Sequence, residues 1–461
     1  MSDKNHSFLK SYIKGESLIG FWSVIVKLIS AAIAFIVISN LDVFKYGVYI
    51  LILSGYSFLA SLFLKPLQGV IFNDISRFYS EDGKGKAKKL YLEMFKLRIF
   101  TGIILSLILF FTANIVASFY DNDIATLIRI LSPLFLIDAF YGSMKTFFKV
   151  HLRFDLIVFR PIVYKSLKLG IILYFLYFAS FGIQEVILAH TIASFVAMLV
   201  FIPSFLKLYN PWKNIIVVKE AVLWQIAKTY GKWPLFSQIL SRSVKDVRPW
   251  IIKFFVNTEA VAIFSVAESF YGGLKGFFPS TTLTALIPRH ISNRKQSEKI
   301  LIKGTKYLFF ITILLAIAGF FIVPFVIKII FPQYIDSILL FKILLPALFI
   351  LSFKSIGTTF LVALRKQKYL FYVGIAQVTL GLLFPLILLN YFGIIGMALE
   401  RVITALIIGI LIYGYILKNE IHISFFKTFF TYDNNDKIFF QKLFIGLSRY
   451  IKSFFIKNKK I

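Results

Sequence analysis

Twelve apolar runs, each about long enough to cross a bilayer, divide this chain: roughly residues 17–39, 44–64, 98–119, 125–147, 158–179, 182–204, 228–255, 258–285, 304–328, 336–357, 369–391 and 395–417. A spanning helix needs about 20 apolar residues, and only a helix satisfies its own backbone groups in hydrocarbon. The runs leave no stretch large enough for a soluble domain. The sequence therefore predicts an all-α polytopic membrane protein of about 12 transmembrane helices. Its share of hydrophobic residues, 58% with 54 Phe and 23 Tyr, is far above that of a soluble enzyme.

The formal charge of +30 invites a nucleic-acid reading, but the basic residues sit beside the spans and form no separate basic domain, so no nucleic acid is expected. Topology explains them better, because cytoplasmic loops are enriched in Lys and Arg. The loop after the second run carries Lys65, Arg77, Lys84, Lys86, Lys88, Lys89, Lys96 and Arg98, whereas the next reads Tyr120-Asp121-Asn122-Asp123. Continuing the alternation places Lys145, Lys149, Arg153, Arg160 and Lys165 inside, together with Arg289, Arg294, Lys295, Lys299 and Lys303. Both termini are predicted to be cytoplasmic.

Several chemistries are excluded or weakened. Without cysteine there is no disulfide, thiolate metal site or thiol nucleophile. His6, His151, His190, His290 and His422 show no ligand spacing, so no metal is expected, and His190 reads as a packed or hydrogen-bonded core residue. No GxxxxGK[ST] occurs, and Gly83-Lys84-Gly85-Lys86 is a flexible basic turn. The first run is longer than the apolar region of a signal peptide and has a counterpart in the second half.

That counterpart belongs to an internal repeat. Asp42-Val43-Phe44-Lys45-Tyr46-Gly47-Val48-Tyr49 falls in register with Asn257-Thr258-Glu259-Ala260-Val261-Ala262-Ile263-Phe264 at an offset of 215. Ile75-Ser76 matches Ile291-Ser292 at 216, Leu152-Arg153 matches Leu364-Arg365 at 212, and Phe181-Gly182-Ile183 matches Phe392-Gly393-Ile394 at 211. The expected organisation is a six-helix half over 1–207, a linker over 208–227, a second six-helix half over 228–418, and a tail over 419–461. An even number of spans per half makes the repeats parallel, with a cavity between the halves and rocking about a midplane site.

The Asp42-to-Tyr49 turn resembles the first hairpin of the polysaccharide flippases. Tyr230-Gly231-Lys232-Trp233-Pro234, Asp246 in mid-helix, Phe264-Ser265-Val266-Ala267-Glu268, Ile287-Pro288-Arg289-His290-Ile291-Ser292 and Phe392-Gly393-Ile394-Ile395-Gly396-Met397-Ala398 are similar to that family's second half. Over about residues 15–418 their order and spacing resemble the multidrug/oligosaccharidyl-lipid/polysaccharide exporter superfamily, in its O-antigen (Wzx-type) flippase branch. The resemblance implies a MATE-like, V-shaped pair of bundles around a central cavity, in a bacterial inner membrane. It also implies outward translocation of an undecaprenyl-pyrophosphate-linked oligosaccharide by a monomer, without catalysis or a bound cofactor.

Ionisable groups near a helix centre cost about 2.5–3.5 kcal/mol each, so those present face a cavity or a partner. Span seven holds Arg242, Lys245, Asp246 and Arg248, with Arg242 and Lys245 on one helical face. The 215 offset sets Arg242 against Lys27 in span one. We expect Lys27, Arg242, Lys245, Arg248 and Lys275 to bind the substrate pyrophosphate, Arg by forked hydrogen bonds and Lys as a point charge. The competing expectation pairs Arg242 or Lys245 with Asp246, lets Arg248 and Lys253 snorkel outward, and pairs Lys275 and Glu268 across to span seven. Lys342 and Arg401 are weaker candidates. Uphill transport needs a proton, a sodium ion or the membrane potential, and Asp138, Asp246 and Glu268 are the candidate coupling carboxylates, with Glu400 behind them.

Two other functions use related parts. A drug or cation antiporter would favour an acidic cavity, and a membrane polymerase or glycosyltransferase would need a sizeable outer loop, whereas the outer connections here are short. In the tail, Phe440, Leu443, Phe444, Leu447, Ile451, Phe454 and Phe455 form an apolar stripe at helical spacing, predicting an amphipathic helix on the inner leaflet lipids. Polymerase or chain-length proteins of the same pathway are further candidate partners.

Overall fold

The computed structural model describes residues 22, 24–64, 68–81, 83–118, 124–230, 233–278, 294–421, 424, 429–432 and 436. Among them every predicted run is met by helix. In the first half these are α1 (Val24–Asn40), α2 (Val43–Phe63), α3 (Gln68–Ser80), α4 (Lys84–Ser118), α5 (Ile124–Leu131), α6 (Leu134–Val150), α7 (Phe154–Phe178) and α8 (Ile183–Lys213). The second half has α9 (Val222–Tyr230), α10 (Trp233–Phe255), α11 (Thr258–Gly276), α12 (Arg294–Ile330), a 3-10 turn (Pro332–Tyr334), α13 (Ser337–Leu344), α14 (Pro346–Ala363), α15 (Gln367–Phe392) and α16 (Ile394–Asn419). α8 extends through 208–213 into the predicted linker.

Equivalent local chemistry starts and stops equivalent helices in the two halves. Asp42 Oδ1 accepts from the Lys45 N–H at 2.7 Å, and Asn257 Oδ1 accepts from the Ala260 N–H at 2.7 Å. Each is a side-chain N-cap satisfying a first-turn donor, and the two lie 215 residues apart, as aligned. Pro133 breaks α5 from α6, and Pro346 opens α14 after α13. Leu152 and Arg365 have φ of 54° and 59°, and the next N–H of each returns to the helix, Arg153 to Phe148 O and Lys366 to Leu361 O, both at 2.9 Å. These are paired left-handed helix ends. They shift the alignment there by one residue, to 213 from the expected 212, because backbone geometry and not side-chain identity is what repeats. Ile291 and Ser292 lie outside the described residues.

The chain forms two compact units. The larger comprises Met1–Gly273, Gly319–Leu345 and Gly374–Thr404. Its core is aliphatic and aromatic, with Phe135, Phe147, Phe148 and Tyr334 fully buried. Lys88 caps the end of α8 by donating to Lys213 O and Ile215 O at 2.9 and 2.8 Å. Three turns that the charge pattern assigns to the outside meet in this unit. The Gln333 amide donates to Ile38 O and Leu41 O at 3.1 and 3.2 Å. Gly47 faces Thr258 so closely that a Cβ there would clash with the Thr258 carbonyl oxygen.

The smaller unit comprises Leu274–Ala318, Pro346–Val373 and Ala405–Ile461. Phe429 packs near Phe309 and Phe353. Buried Asp436 accepts from Lys306 Nζ and from the Tyr307 hydroxyl, each at 2.7 Å. The predicted amphipathic stripe after it, over 440–455, lies outside the described residues.

Candidate functional site

Eight described helical spans are long and apolar enough to cross a membrane on composition alone. The helices α7, α10 and α11, which carry several charged side chains, are not among them. The larger unit gathers these charges into two clusters of different make-up.

The first cluster joins α10, α11 and α16. Arg248 Nη2 donates to Glu400 Oε1 at 3.0 Å, with the two side chains 5% and 0% exposed. Thr404 Oγ1 donates to the same oxygen at 3.0 Å. Arg401 Nη2 donates to Glu268 Oε1 at 2.6 Å. Each buried or half-buried guanidinium thus has its own carboxylate, although Arg248 Nε and Glu400 Oε2 make no hydrogen bond among the described residues. Removing one member of such a pair strands a charge in low dielectric, whereas the intact pair is tolerated.

The second cluster lies on α2, α6, α7 and α8. Arg160, Tyr164 and Lys168 recur at intervals of four on α7, which sets them along one face. The Arg160 guanidinium lies 4.0 Å from the Tyr141 ring centre and 5.2 Å from that of Tyr164. Its Nε and Nη2 are buried and have no hydrogen-bond partner among the described residues. Lys168, 3% exposed, donates to the Tyr49 hydroxyl and to His190 Nδ1, both at 3.3 Å. The Tyr164 hydroxyl reaches the same His190 nitrogen at 3.2 Å. An ammonium only donates, so this geometry requires His190 Nδ1 to accept and its ring to be neutral. Lys165 Nζ lies 5.5 Å from the Tyr164 ring centre.

Among the described residues no carboxylate lies within ion-pair distance of Arg160, Lys165 or Lys168. The acid of this cluster, Asp138, accepts from the Tyr56 hydroxyl at 2.6 Å. Rings and neutral acceptors stand where counter-ions would be expected. Cation–π contacts contribute about 0.5–2 kcal/mol, well below the several kcal/mol lost when each ion leaves water. The cluster is therefore short of negative charge and rich in unused donors, which suits a ligand that brings its own anion.

The residues expected from sequence are divided by this geometry. Arg248, expected to line the cavity or to snorkel outward, is held in the buried pair with Glu400 on α16. Glu268 and Arg401 pair with each other, and Lys245 is exposed on α10, close enough to act electrostatically on Glu268. Asp246 accepts from Ser61 Oγ on α2 at 3.2 Å. Lys27 and Lys275 are exposed, Lys342 lies over the Phe320 ring at 4.5 Å, and the Arg242 side chain lies outside the described residues. Arg160 and Lys165, expected on the cytoplasmic side, lie on α7 within the cluster. His190, expected as a core residue, is an acceptor for Lys168. The spacing of Arg160, Tyr164 and Lys168 was the available signal, and assigning Arg160 and Lys165 to the cytoplasmic side concealed it.

The fold has solved relatives. A multidrug resistance MATE transporter of the MOP superfamily in an inward-facing conformation superposes with a TM-score of 0.70 at 12% identity, covering 85% of this chain and 93% of its own. The lipid II flippase MurJ in an inward closed conformation gives 0.67 at 14%, covering 96% and 100%. A MOP transporter from Pyrococcus furiosus, described as having a binding pocket of reversed polarity that suggests a different function, gives 0.56 at 13%, covering 90% and 94%. No curated protein matches the sequence significantly. The helical architecture shares its fold with these membrane transporters, and its long apolar helices make it a multi-pass membrane protein. More particularly, the chain belongs to the polysaccharide biosynthesis protein family, whose model matches residues 82–334.

Proposed function

We propose that this protein moves a polyprenyl-pyrophosphate-linked oligosaccharide, an undecaprenyl-linked O-antigen unit or similar surface glycan, from the cytoplasmic to the periplasmic leaflet of a bacterial inner membrane by alternating access, with both termini cytoplasmic. The observation that carries this reading is the α7 cluster, three cations to one carboxylate, with two unused guanidinium donors. A pyrophosphate entering it loses hydration. Arg160 offers forked donors and Lys168 a point charge in exchange, and the surrounding tyrosines offer flat faces and hydroxyls to a sugar. No covalent bond is made or broken. Asp138, held by Tyr56 beside these cations, is the foremost of the candidate coupling carboxylates, with Asp246 and Glu268 behind it, and a proton, a sodium ion or the membrane potential supplies the drive.

An antiporter of cationic drugs is the second reading, since MATE transporters share the fold. An electropositive cluster disfavours it, and the reversed pocket polarity described for the Pyrococcus furiosus transporter supports linking polarity to function within this fold. The test is complementation of a strain lacking its O-unit flippase and supplied with the cognate glycan genes. Surface polysaccharide restored by the wild type, but not by Arg160→Ala at equal abundance, is the expected result. Drug resistance conferred without any glycan restoration would overturn the reading.

A further inference from the structure

The cation cluster adjoins a second feature of opposite character. A cavity of about 210 Å³ lies between α2, α4, α5 and α10, walled by Val48, Leu51, Leu109, Val116, Ile128 and Trp250, and by Tyr56. Tyr56 belongs to both places. Its ring lines the cavity, while its hydroxyl donates to Asp138 at 2.6 Å, with Arg160 and Tyr164 near enough to act on it electrostatically. Gly55 lets α2 approach α10 here, since a Cβ would lie 3.2 Å from the Trp250 ring.

The helix α4, which contributes to the cavity wall, also carries exposed apolar residues. On α4 the neighbours of Leu109 and Val116, namely Ile108, Phe110, Phe111 and Ile115, are exposed large hydrophobics, as expected of a lipid-facing strip on a spanning helix. The volume is below the ~300 Å³ at which pockets begin to enclose whole drug-sized ligands, so it fits a segment of chain and not a complete molecule.

We infer that this cavity seats the pyrophosphate-proximal isoprene units of the substrate's lipid carrier while the α7 cluster holds the pyrophosphate, an inference that rests on the function proposed above. The occupant is an isoprenoid and not a bilayer acyl chain because the apolar cavity is joined through Tyr56 to a site lacking anions. A ligand with a branched apolar tail attached directly to two phosphates satisfies both, and burying its methylenes beside an already bound headgroup adds affinity in proportion to the area removed from water. The tail would then fix the register in which the headgroup meets Arg160 and Lys168.

The test uses the purified full chain in nanodiscs, titrated with inorganic pyrophosphate and with geranyl pyrophosphate. The wild type should bind geranyl pyrophosphate roughly tenfold tighter or more. Leu51→Phe with Ile128→Phe, which fills the cavity, should reduce that advantage to about threefold or less while inorganic pyrophosphate binding is unchanged. In parallel, a diazirine-bearing geranylgeranyl pyrophosphate should label Leu109, Val116 or Ile128 in the unaltered protein, a readout independent of how the variant folds. Pyrophosphate binding without any chain-length effect, labels lying elsewhere, or labels equally displaced by phospholipid lacking pyrophosphate would overturn the cavity assignment and leave the flippase reading intact. Failure of every pyrophosphate probe to bind would overturn the flippase reading itself.

Discussion

Two groups of buried charge lie in the same unit of this molecule, and they are solved differently. On α10, α11 and α16 each guanidinium is matched by a carboxylate, Arg248 by Glu400 and Arg401 by Glu268. On α7 Arg160, Lys165 and Lys168 are surrounded by tyrosine, histidine and one acid already engaged by Tyr56. The first arrangement matches each guanidinium with a carboxylate without a ligand; the second does not. Charge in a membrane helix is thus a poor guide to a binding site until its counter-ion is known, and a buried cation without one carries more functional information than a paired one.

The largest difference should appear in stability. Glu400→Ala leaves Arg248 buried without its carboxylate and should destabilise the protein by about 3–5 kcal/mol, read as a fall in thermal midpoint and membrane abundance. The double change Arg248→Met, Glu400→Leu should recover most of that loss, since an apolar pair of similar volume replaces the ions. A double variant as unstable as the single one would break the comparison.

Next comes Lys168→Met. It removes a buried cation that has no carboxylate, so the thermal midpoint should hold or rise, while affinity for a pyrophosphate headgroup falls roughly 10- to 100-fold, from the ~1.5–3 kcal/mol of a charged hydrogen bond. Functional sites commonly carry such a stability penalty. A fall in stability with unchanged affinity would place Lys168 among the structural charges.

Arg401→Ala should have a smaller effect than Glu400→Ala, because its pair with Glu268 is 29% and 28% exposed and water can replace part of it. The smallest effect belongs to an exposed pair used as a control. Arg153 grips Asp155 through Nε and Nη2 at 2.9 and 2.7 Å, just before the predicted fifth span, and these hydrogen bonds hold the Asp155 carboxyl below its ordinary value of 3.8. Because the folded value is the lower one, this contribution is complete above about pH 4 and is lost as pH falls through the folded value. With both partners about half exposed, its size should be under about 1 kcal/mol, so Arg153→Gln should flatten the acid limb of a stability profile only slightly.

The helical framework was readable because hydrophobic length is a local property. Twelve runs predict helices where helices occur, and the sequence repeat aligns Asp42 with Asn257, the paired N-caps. Pro133 and Pro346 sit at the breaks between α5 and α6 and between α13 and α14. The charge clusters were only half readable, since pairing depends on neighbours far apart in the chain. Nothing local to Arg248 announces Glu400, 152 residues later, and nothing local to Lys168 announces Tyr49, 119 residues earlier. Span seven drew attention because its charges crowd into one short stretch. Span five drew less, because two of its three cations lie near one end, where loop charges are expected.

The most direct measurement compares the clusters in one assay: pyrophosphate-headgroup affinity of the purified full chain, for the wild type, for Arg160→Gln with Lys168→Met, and for Glu268→Gln with Arg401→Gln. The account predicts a loss of at least about tenfold in the α7 variant, against little change in the α11–α16 variant. The reverse order, with binding lost only when Glu268 and Arg401 are changed, would contradict it.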